Sequence, residues 1–594
     1  MRPRCATRRR RCRRARRSRR ERLAHLLPER SRDRRARLPE LTEPLRPNHS
    51  DRTTLTEPLR PSHSDRTTAC NGIYGRSAGP YARGAVRSSR VYFAVVLAVM
   101  ACSAEAVQKP AVVVTPPALA EVLAVVPAGV PAGVPAQAED EVVEVAAGLP
   151  EPWPDSLRWI AAGGGSTPEF NQVSIEQDLG LAQATFGAGG LLLFAGGRGS
   201  HGVQVEVSEP QGDGLLLELG ELFSPRGGRD SRYRRTTLPV DAAATAENLR
   251  LALERASAVG EQPLLVYLAG HGQRGEQPAE AAIDLWGQVP LQAFELAAVL
   301  DAGARPVRLV VTTCFSGGFA ELAFVAADAG QRRVAPRRCG LFAATAEREA
   351  SGCDPNPDRA AQEGYGLHFL NALAGRDRAG QPVRIDLDGD GRVSLLEAHA
   401  RARSVSAGID VPTTTSERWL RAVPGLKGRS AAVELREEEA VIAALIAELG
   451  LGEGEAAAQL QQVQNHMLEV TGRIDKAAQA EDAGYRATAA ELLARWPVLD
   501  DPWHPDFAAT LAREREAIAG WLAASEGYAG YRAARSEGDV ARTELGVGMA
   551  RSAKLERLVR ALETRTLAGR LKARGGPDWA AYEQLLACER WVPG

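Results

Sequence analysis

The sequence predicts an α/β chain in which a mainly parallel sheet is sandwiched by helices and followed by an all-α accessory domain. Three observations lead there. From 156 to 425, short and nearly continuous apolar runs alternate with helical patterns, as expected of parallel strands buried on both faces. From 426 to 594 the strand-like runs stop, and Ala, Glu, Leu, Gln and Arg place apolar side chains at three- and four-residue steps, as in amphipathic helices. At 594 residues the chain also exceeds one core, and about 150 residues per domain gives two to four units.

Upstream of this core the composition changes three times. Residues 1–40 hold 18 arginines and no lysine against Glu21, Glu29, Asp33 and Glu40, an excess of 14 positive charges. The whole chain balances at 74 basic and 74 acidic residues, so the remainder carries 14 net negative charges. An acidic body argues against a nucleic-acid groove, and the Arg-rich start alone reads as an interaction tail. Residues 41–54 and 55–68 are tandem copies differing at one position, with no hydrophobic period that would let them stack. Residues 1–85 are expected to be disordered sequence upstream of the true start, for which Val86 is the candidate.

Residues 86–106 read as a signal peptide. Arg87 and Arg90 form the charged end, and Val91 to Ala101 form an apolar run of eleven, too short to span a bilayer. "VMAC", ending at Cys102, resembles a bacterial lipoprotein box, which would lipidate Cys102 and anchor the protein to the membrane. Ordinary cleavage after Ala104 or Ala106 is the alternative. The expected location is therefore the cell envelope, or outside the cell. Residues 107–155 are rich in Ala, Val and Pro and read as a semi-rigid linker, or equally as a disordered leftover with no task.

Within 156–425, the strand candidates are 157–165, 190–197, 263–270, 307–313 and 339–345. Helical patterns cover 174–186, 245–259 and 291–303. Functional residues of such sheets collect just beyond the carboxyl ends of the strands. Beyond Cys102 the cysteines are Cys314, Cys339, Cys353 and Cys588, too few for a disulfide framework, although an oxidising compartment would allow a Cys339–Cys353 bridge.

Two strand ends carry reactive side chains. "PLLVYLAG" runs into His271 and Gly272, and "VRLVVTT" runs into Cys314 and "FSGG". A thiol nucleophile needs a neighbouring base or a lowered pKa, together with donors for an oxyanion. Glycine lets backbone N–H groups approach a substrate carbonyl. A packed cysteine and a capping histidine account for either residue alone. Together, one strand–helix–strand unit apart, they point to one site.

Strand-His-Gly followed 43 residues later by strand-Cys resembles the caspase-like fold cysteine peptidases, the group of caspases, metacaspases, clostripain and legumain. "GGGSTPEFNQVSIEQD", 163–178, is similar to a bacterial legumain-type peptidase. The resemblance covers 157–425. It implies Cys314 as nucleophile, His271 as acid and base, and the N–H groups of Gly272 and Cys314 as oxyanion donors. It also implies that Asn171 orients the histidine; capping of the helix near Ser174 is Asn171's other reading.

The departures concern specificity. Thr312 stands where metacaspases, clostripain and legumain carry an acid, and Val173 and Ser174 stand where legumain has Arg and His. Arg198 is a candidate basic pocket residue or a surface arginine. Residues 326–339, with Arg332, Arg333, Arg337 and Arg338, form either an accessible loop for an activating cleavage or an ordinary polar loop.

"DLDGDGRVSLLE", 386–397, fills the twelve-residue calcium template with Asp386, Asp388, Asp390, the Arg392 carbonyl, Ser394 and Glu397, with Gly391 at the turn. An Asp-Gly turn capping the next helix is the alternative. The sequence as a whole leads to an exported, calcium-stabilised cysteine endopeptidase without organic cofactor, acting on a protein or peptide, with a helical domain open to a protein partner. The alternative is a catalytically inactive caspase-like calcium-binding scaffold or interaction protein. A transpeptidase would use the same acyl-enzyme chemistry.

Overall fold

The computed structural model describes residues 148–594 apart from 155, 208–211, 224–230 and 336. The Arg-rich start, the tandem copies, the signal segment with Cys102 and most of the linker lie outside the described residues.

The chain builds β1 (Trp159–Gly164), α1 (Val173–Phe186), β2 (Gly190–Phe194), β3 (Val203–Glu206), α2 (Gly214–Phe223), β4 (Ser231–Arg234), α3 (Ala246–Ala258) and β5 (Leu264–Gly270). It continues through β6 (Gly272–Gln273), β7 (Ala282–Ile283), β8 (Leu291–Gln292), α4 (Ala293–Ala302), β9 (Val307–Val311) and β10 (Arg338–Phe342). Then follow α5 (Tyr365–Leu373), α6 (Leu395–Val405), β11 (Thr413–Thr414) and α7 (Thr415–Ala422).

One sheet in the order β11-β10-β9-β5-β1-β2 organises this half, parallel throughout except where the short β11 runs against β10. The five longer apolar runs of the sequence are its five parallel strands. Alternation of side chains sends Ile160, Leu193, Val266, Leu268, Leu309 and Val311 to one face, where Leu249, Leu253 and Leu296 of α3 and α4 cover them. It sends Ala161, Leu192, Leu265, Tyr267 and Val310 to the other, under Leu179, Phe369 and Leu396 of α1, α5 and α6. Strands buried on both faces need no polar alternation, which is why they read as continuous apolar runs. Helix starts follow local rules: Thr245 Oγ1 accepts from Asn248 N at 3.2 Å, and Gln292 and Glu295 form a capping box before α4.

The remaining chain is helical: α8 (Arg436–Leu449), α9 (Ala456–Arg495), α10 (Phe507–Ala524), α11 (Glu526–Arg574) and α12 (Pro577–Glu589). These helices share cores with the sheet half, and all described residues fall in one compact unit. Phe324, Cys339 and Trp419 pack with Tyr582 and Leu585. Leu215, Leu219 and Leu222 of α2 pack with Leu492, Leu511 and Ile518.

The cysteine pairing allowed by the sequence is corrected here. Cys339 bonds Cys588, 249 residues away, and Cys353 is free. Pairing follows backbone proximity, and α12 passes against β10. The neighbouring Glu589, fully buried, caps α7: it accepts from Thr415 Oγ1 at 2.6 Å, Ser416 N at 2.7 Å and Ser416 Oγ at 2.6 Å.

Candidate active site

The parallel register of β5 and β9 sets Leu268 opposite Val311. Three residues further along each chain stand His271 and Cys314, so both arrive at the same level of the carboxyl edge. The approach is close: a Cβ on Gly272 would lie 2.3 Å from the Cys314 carbonyl oxygen and 2.8 Å from Thr313 Oγ1, a space that only glycine fits. Directly before His271, Gly270 has φ 148° and turns the chain out of the strand. Directly after Cys314, Phe315 is left-handed at φ 56°, a conformation that costs a non-glycine residue energy and is often stored at functional sites.

His271 is half-buried. Its Nε2 lies 2.8 Å from Gln172 Oε1, and the ring meets Phe170 edge-on with centroids 5.7 Å apart. Burial lowers its pKa below the ordinary 6.5, opposed by the charge of Asp284 and a hydrogen bond to the Phe170 backbone. The imidazole is therefore neutral at pH 7, with Gln172 on Nε2.

Cys314 is free and half-buried. Its sulfur accepts from Ala350 N at 3.4 Å and lies 3.6 Å from Ala350 O. Burial pushes its thiol up to about 11; the Ala350 backbone opposes this, and the charges of Glu349 and Asp410 add to it. The segment 348–354 thus forms a roof over the thiol. Phe315 N donates to Arg348 O at 2.8 Å, Arg348 pairs with Glu556 of α11 at 3.0 Å, and Asp354 N donates to Ser174 Oγ at 2.7 Å. The roof ties the site to both α1 and the long helix α11.

The orienting contact expected of Asn171 falls to its neighbour. Asn171 is fully buried and structural: its Oδ1 accepts from Gly165 N at 3.2 Å and its Nδ2 donates to Gly202 O at 2.9 Å. It does not cap α1 either, since Gln172 is the N-cap residue. Asn171 closes the short turn 168–170 and Gln172 opens α1, so adjacent residues here take different surroundings. Thr312 is buried with Oγ1 at 3.4 Å from Leu268 O, and Arg198 is exposed and donates to Val240 O at 3.3 Å.

The basic loop 326–339 is less accessible than its composition implies. Arg338 opens β10, is buried, and pairs with Asp301 at 2.7 Å. Arg332 pairs with Asp578 at 2.8 Å, and Arg337 donates to Gly303 O at 3.2 Å, which leaves the exposed Arg333 as the arginine whose side chain has no partner among the described residues.

In the acidic loop, Asp386, Asp388 and Asp390 bring carboxylate oxygens within 4.8 Å of one another. Asp386 accepts from Gly389 N at 2.6 Å and Gly391 N at 3.0 Å, and Asp390 accepts from the Arg392 N–H at 2.8 Å. Three hard carboxylates on so short a turn suit a hard divalent cation. Ser394 and Glu397 form a capping box on α6, and buried Glu397 also reaches the loop: its oxygens accept from Leu387 N at 2.6 Å and Ser394 N at 2.8 Å. The template positions therefore divide between a carboxylate triad and a helix cap.

Sequence reasoning missed Gln172, Phe170 and the 348–354 roof. Phe170 and Gln172 flank the residue chosen, Asn171, whereas the roof left no signal. A neutral thiol and a neutral imidazole on neighbouring strand ends, with glycine between, can carry out thiol addition to a carbonyl with proton transfer through the ring. No family model and no curated protein matches the chain.

Proposed function

We propose that the protein is a cysteine endopeptidase of caspase-like fold, nearest in kind to the legumain-type enzymes. The observation that carries this reading is the register that delivers His271 and Cys314 to one level of the sheet edge. On substrate binding, Cys314 Sγ gives its proton to His271 and attacks the scissile carbonyl carbon, while the N–H groups of Gly272 and Cys314 hold the oxyanion. His271 then returns the proton to the amine nitrogen as the C–N bond breaks, leaving a thioester. Water, deprotonated by the same imidazole, releases the acid and restores the thiol.

The Asp386, Asp388 and Asp390 triad would hold Ca2+, which would brace the start of α6; Glu397 joins only by giving up its cap. The Cys339–Cys588 bridge supports an exported protein, because disulfides persist in oxidising compartments. Lipidation at Cys102 and a partner for the helical half complete this reading.

The test is a peptide library: wild type cleaves, and Cys314→Ala does not. Equal cleavage by both would remove the proposal. A second reading, an inactive calcium-binding scaffold, draws on the thiol held up at about 11 and bonded to Ala350. Failure of a peptidyl thiol-reactive probe to label Cys314 with or without Ca2+ would favour it.

A further inference from the structure

A recess away from the two strand ends carries more positive charge than its own side chains neutralise. It opens between α5, the turn that follows α5 and the last turns of α6, and its volume is about 490 Å³. Arg359, Glu363, His368, Arg376, Arg378 and Arg401 line it, whereas His271, Cys314 and Gln172 do not. Four guanidiniums thus share one opening, with Glu363 and Asp377 as the acids of its wall.

Two of the four are already engaged. Arg359 pairs with Asp178 and donates to Gln362 Oε1 at 2.7 Å. Arg378 pairs with Glu363 at 2.7 Å and donates to Ala360 O. Glu363 has no capacity left for a second arginine, because His368 Nε2 lies at 2.6 Å and it accepts from Ser406 Oγ at 3.1 Å and Ala407 N at 2.8 Å. Asp377 Oδ1 closes its own turn by accepting from Gln381 N at 2.9 Å. The guanidiniums of Arg376, exposed on that turn, and Arg401, half-buried on α6, have no partner among the described residues. Like charges gathered on a concave surface repel one another and focus a positive potential on the space between them, which an anion relieves. Planar guanidinium forks match the oxygens of a phosphate-type group, which can accept two parallel bonds from each.

We propose that this recess binds a phosphate-type anion whose oxygens bridge Arg376 and Arg401, with Arg378 at its side. The recess is larger than a bare phosphate, so it also admits the group to which a phosphate is attached, in a phosphomonoester or a lipid headgroup. The proposal is independent of the peptidase reading: it names no reaction, and an inactive Cys314 leaves it standing.

The test uses the full chain and two ligands. Inorganic phosphate is titrated into wild type in a low-salt chloride buffer and followed by calorimetry, and saturable binding at a single site is expected. Arg401→Gln and Arg376→Gln should each weaken it roughly tenfold or more, the scale of a hydrogen bond to a charged group. Arg333→Gln, which removes an exposed, unpartnered arginine outside the recess, should leave it unchanged. Neither Arg376 nor Arg401 has a side-chain partner to lose, so thermal unfolding of their variants without phosphate should match wild type; if Arg401→Gln fails to fold, Arg376→Gln on the exposed turn carries the test. The second ligand is a vesicle of phosphatidylglycerol in phosphatidylcholine, scored by co-sedimentation. Sedimentation that phosphate competes away and that Arg376→Gln abolishes supports the site with a headgroup as its source; phosphate binding without sedimentation supports it with a free phosphomonoester. No saturation of wild type by roughly 10 mM phosphate overturns the proposal, and so does equal weakening by Arg333→Gln, since the recess would then be a solvated arginine patch.

Discussion

The sheet edge and the acidic loop were both prominent in the sequence, yet they are built in opposite ways. The loop is local: Asp386, Asp388 and Asp390 are satisfied by backbone N–H groups within six residues of them, and the loop is largely exposed. The edge is assembled from distant segments. His271 leans on Gln172, 99 residues away, and Cys314 on Ala350, 36 residues away. A motif that supplies its own partners can be read residue by residue. A site whose partners come from elsewhere yields its reactive groups to sequence reading but not their environment.

The largest expected effect breaks the edge directly. His271→Ala should lower kcat/KM by roughly 10^4-fold or more, with the Ca2+ response of thermal unfolding intact. If the thermal response vanishes as well, the two regions are not independent.

The next effect concerns the bond that stitches α12 to β10. Cys588→Ser removes a link across 249 residues and should cost about 2–5 kcal/mol of stability, read from urea unfolding. A change near zero would mean that the packing of Tyr582 and Leu585 suffices to hold α12.

At the loop, saturating Ca2+ at about 100 times its Kd should stabilise wild type by about 2.7 kcal/mol, and Asp386→Asn should abolish this gain. Glu397→Gln should instead destabilise the protein in the absence of Ca2+, because Glu397 caps α6. Identical behaviour of the two variants would return Glu397 to the cation.

The smallest effect sharpens the edge. Gln172→Ala should reduce kcat by roughly tenfold at similar KM, the cost of a misplaced ring, and Gln172→Asn should recover part of it. The pH profile reports the same pair. His271 titrates below 6.5, so kcat/KM should fall only as pH drops through that lowered value, where the protonated ring no longer accepts the thiol proton. With the thiol at about 11, the rate should then hold level from pH 7 to beyond pH 9. A pre-formed thiolate–imidazolium pair would instead give a bell that closes on the alkaline side as the ring loses its proton.

The five long parallel strands were legible because burial on both faces leaves runs such as "PLLVYLAG" without polar interruption. The short strands β6, β7, β8 and β11, of two residues each, carry no period to detect. Asn171 was named from its match to the legumain-type asparagine, whereas the side chain that meets His271 belongs to the next residue, Gln172. The partner of Cys339 was missed because proximity in sequence favoured Cys353, whereas the fold brings α12 back to the sheet.

The most direct test of the central claim is covalent capture. A peptidyl acyloxymethyl ketone is reacted with the full chain, and the modified residue is mapped by mass spectrometry in wild type and in His271→Ala. The account predicts a single adduct on Cys314 that forms at least roughly 100-fold more slowly without the imidazole. Labelling of Cys353 instead, or labelling of Cys314 at an equal rate in both proteins, would contradict it.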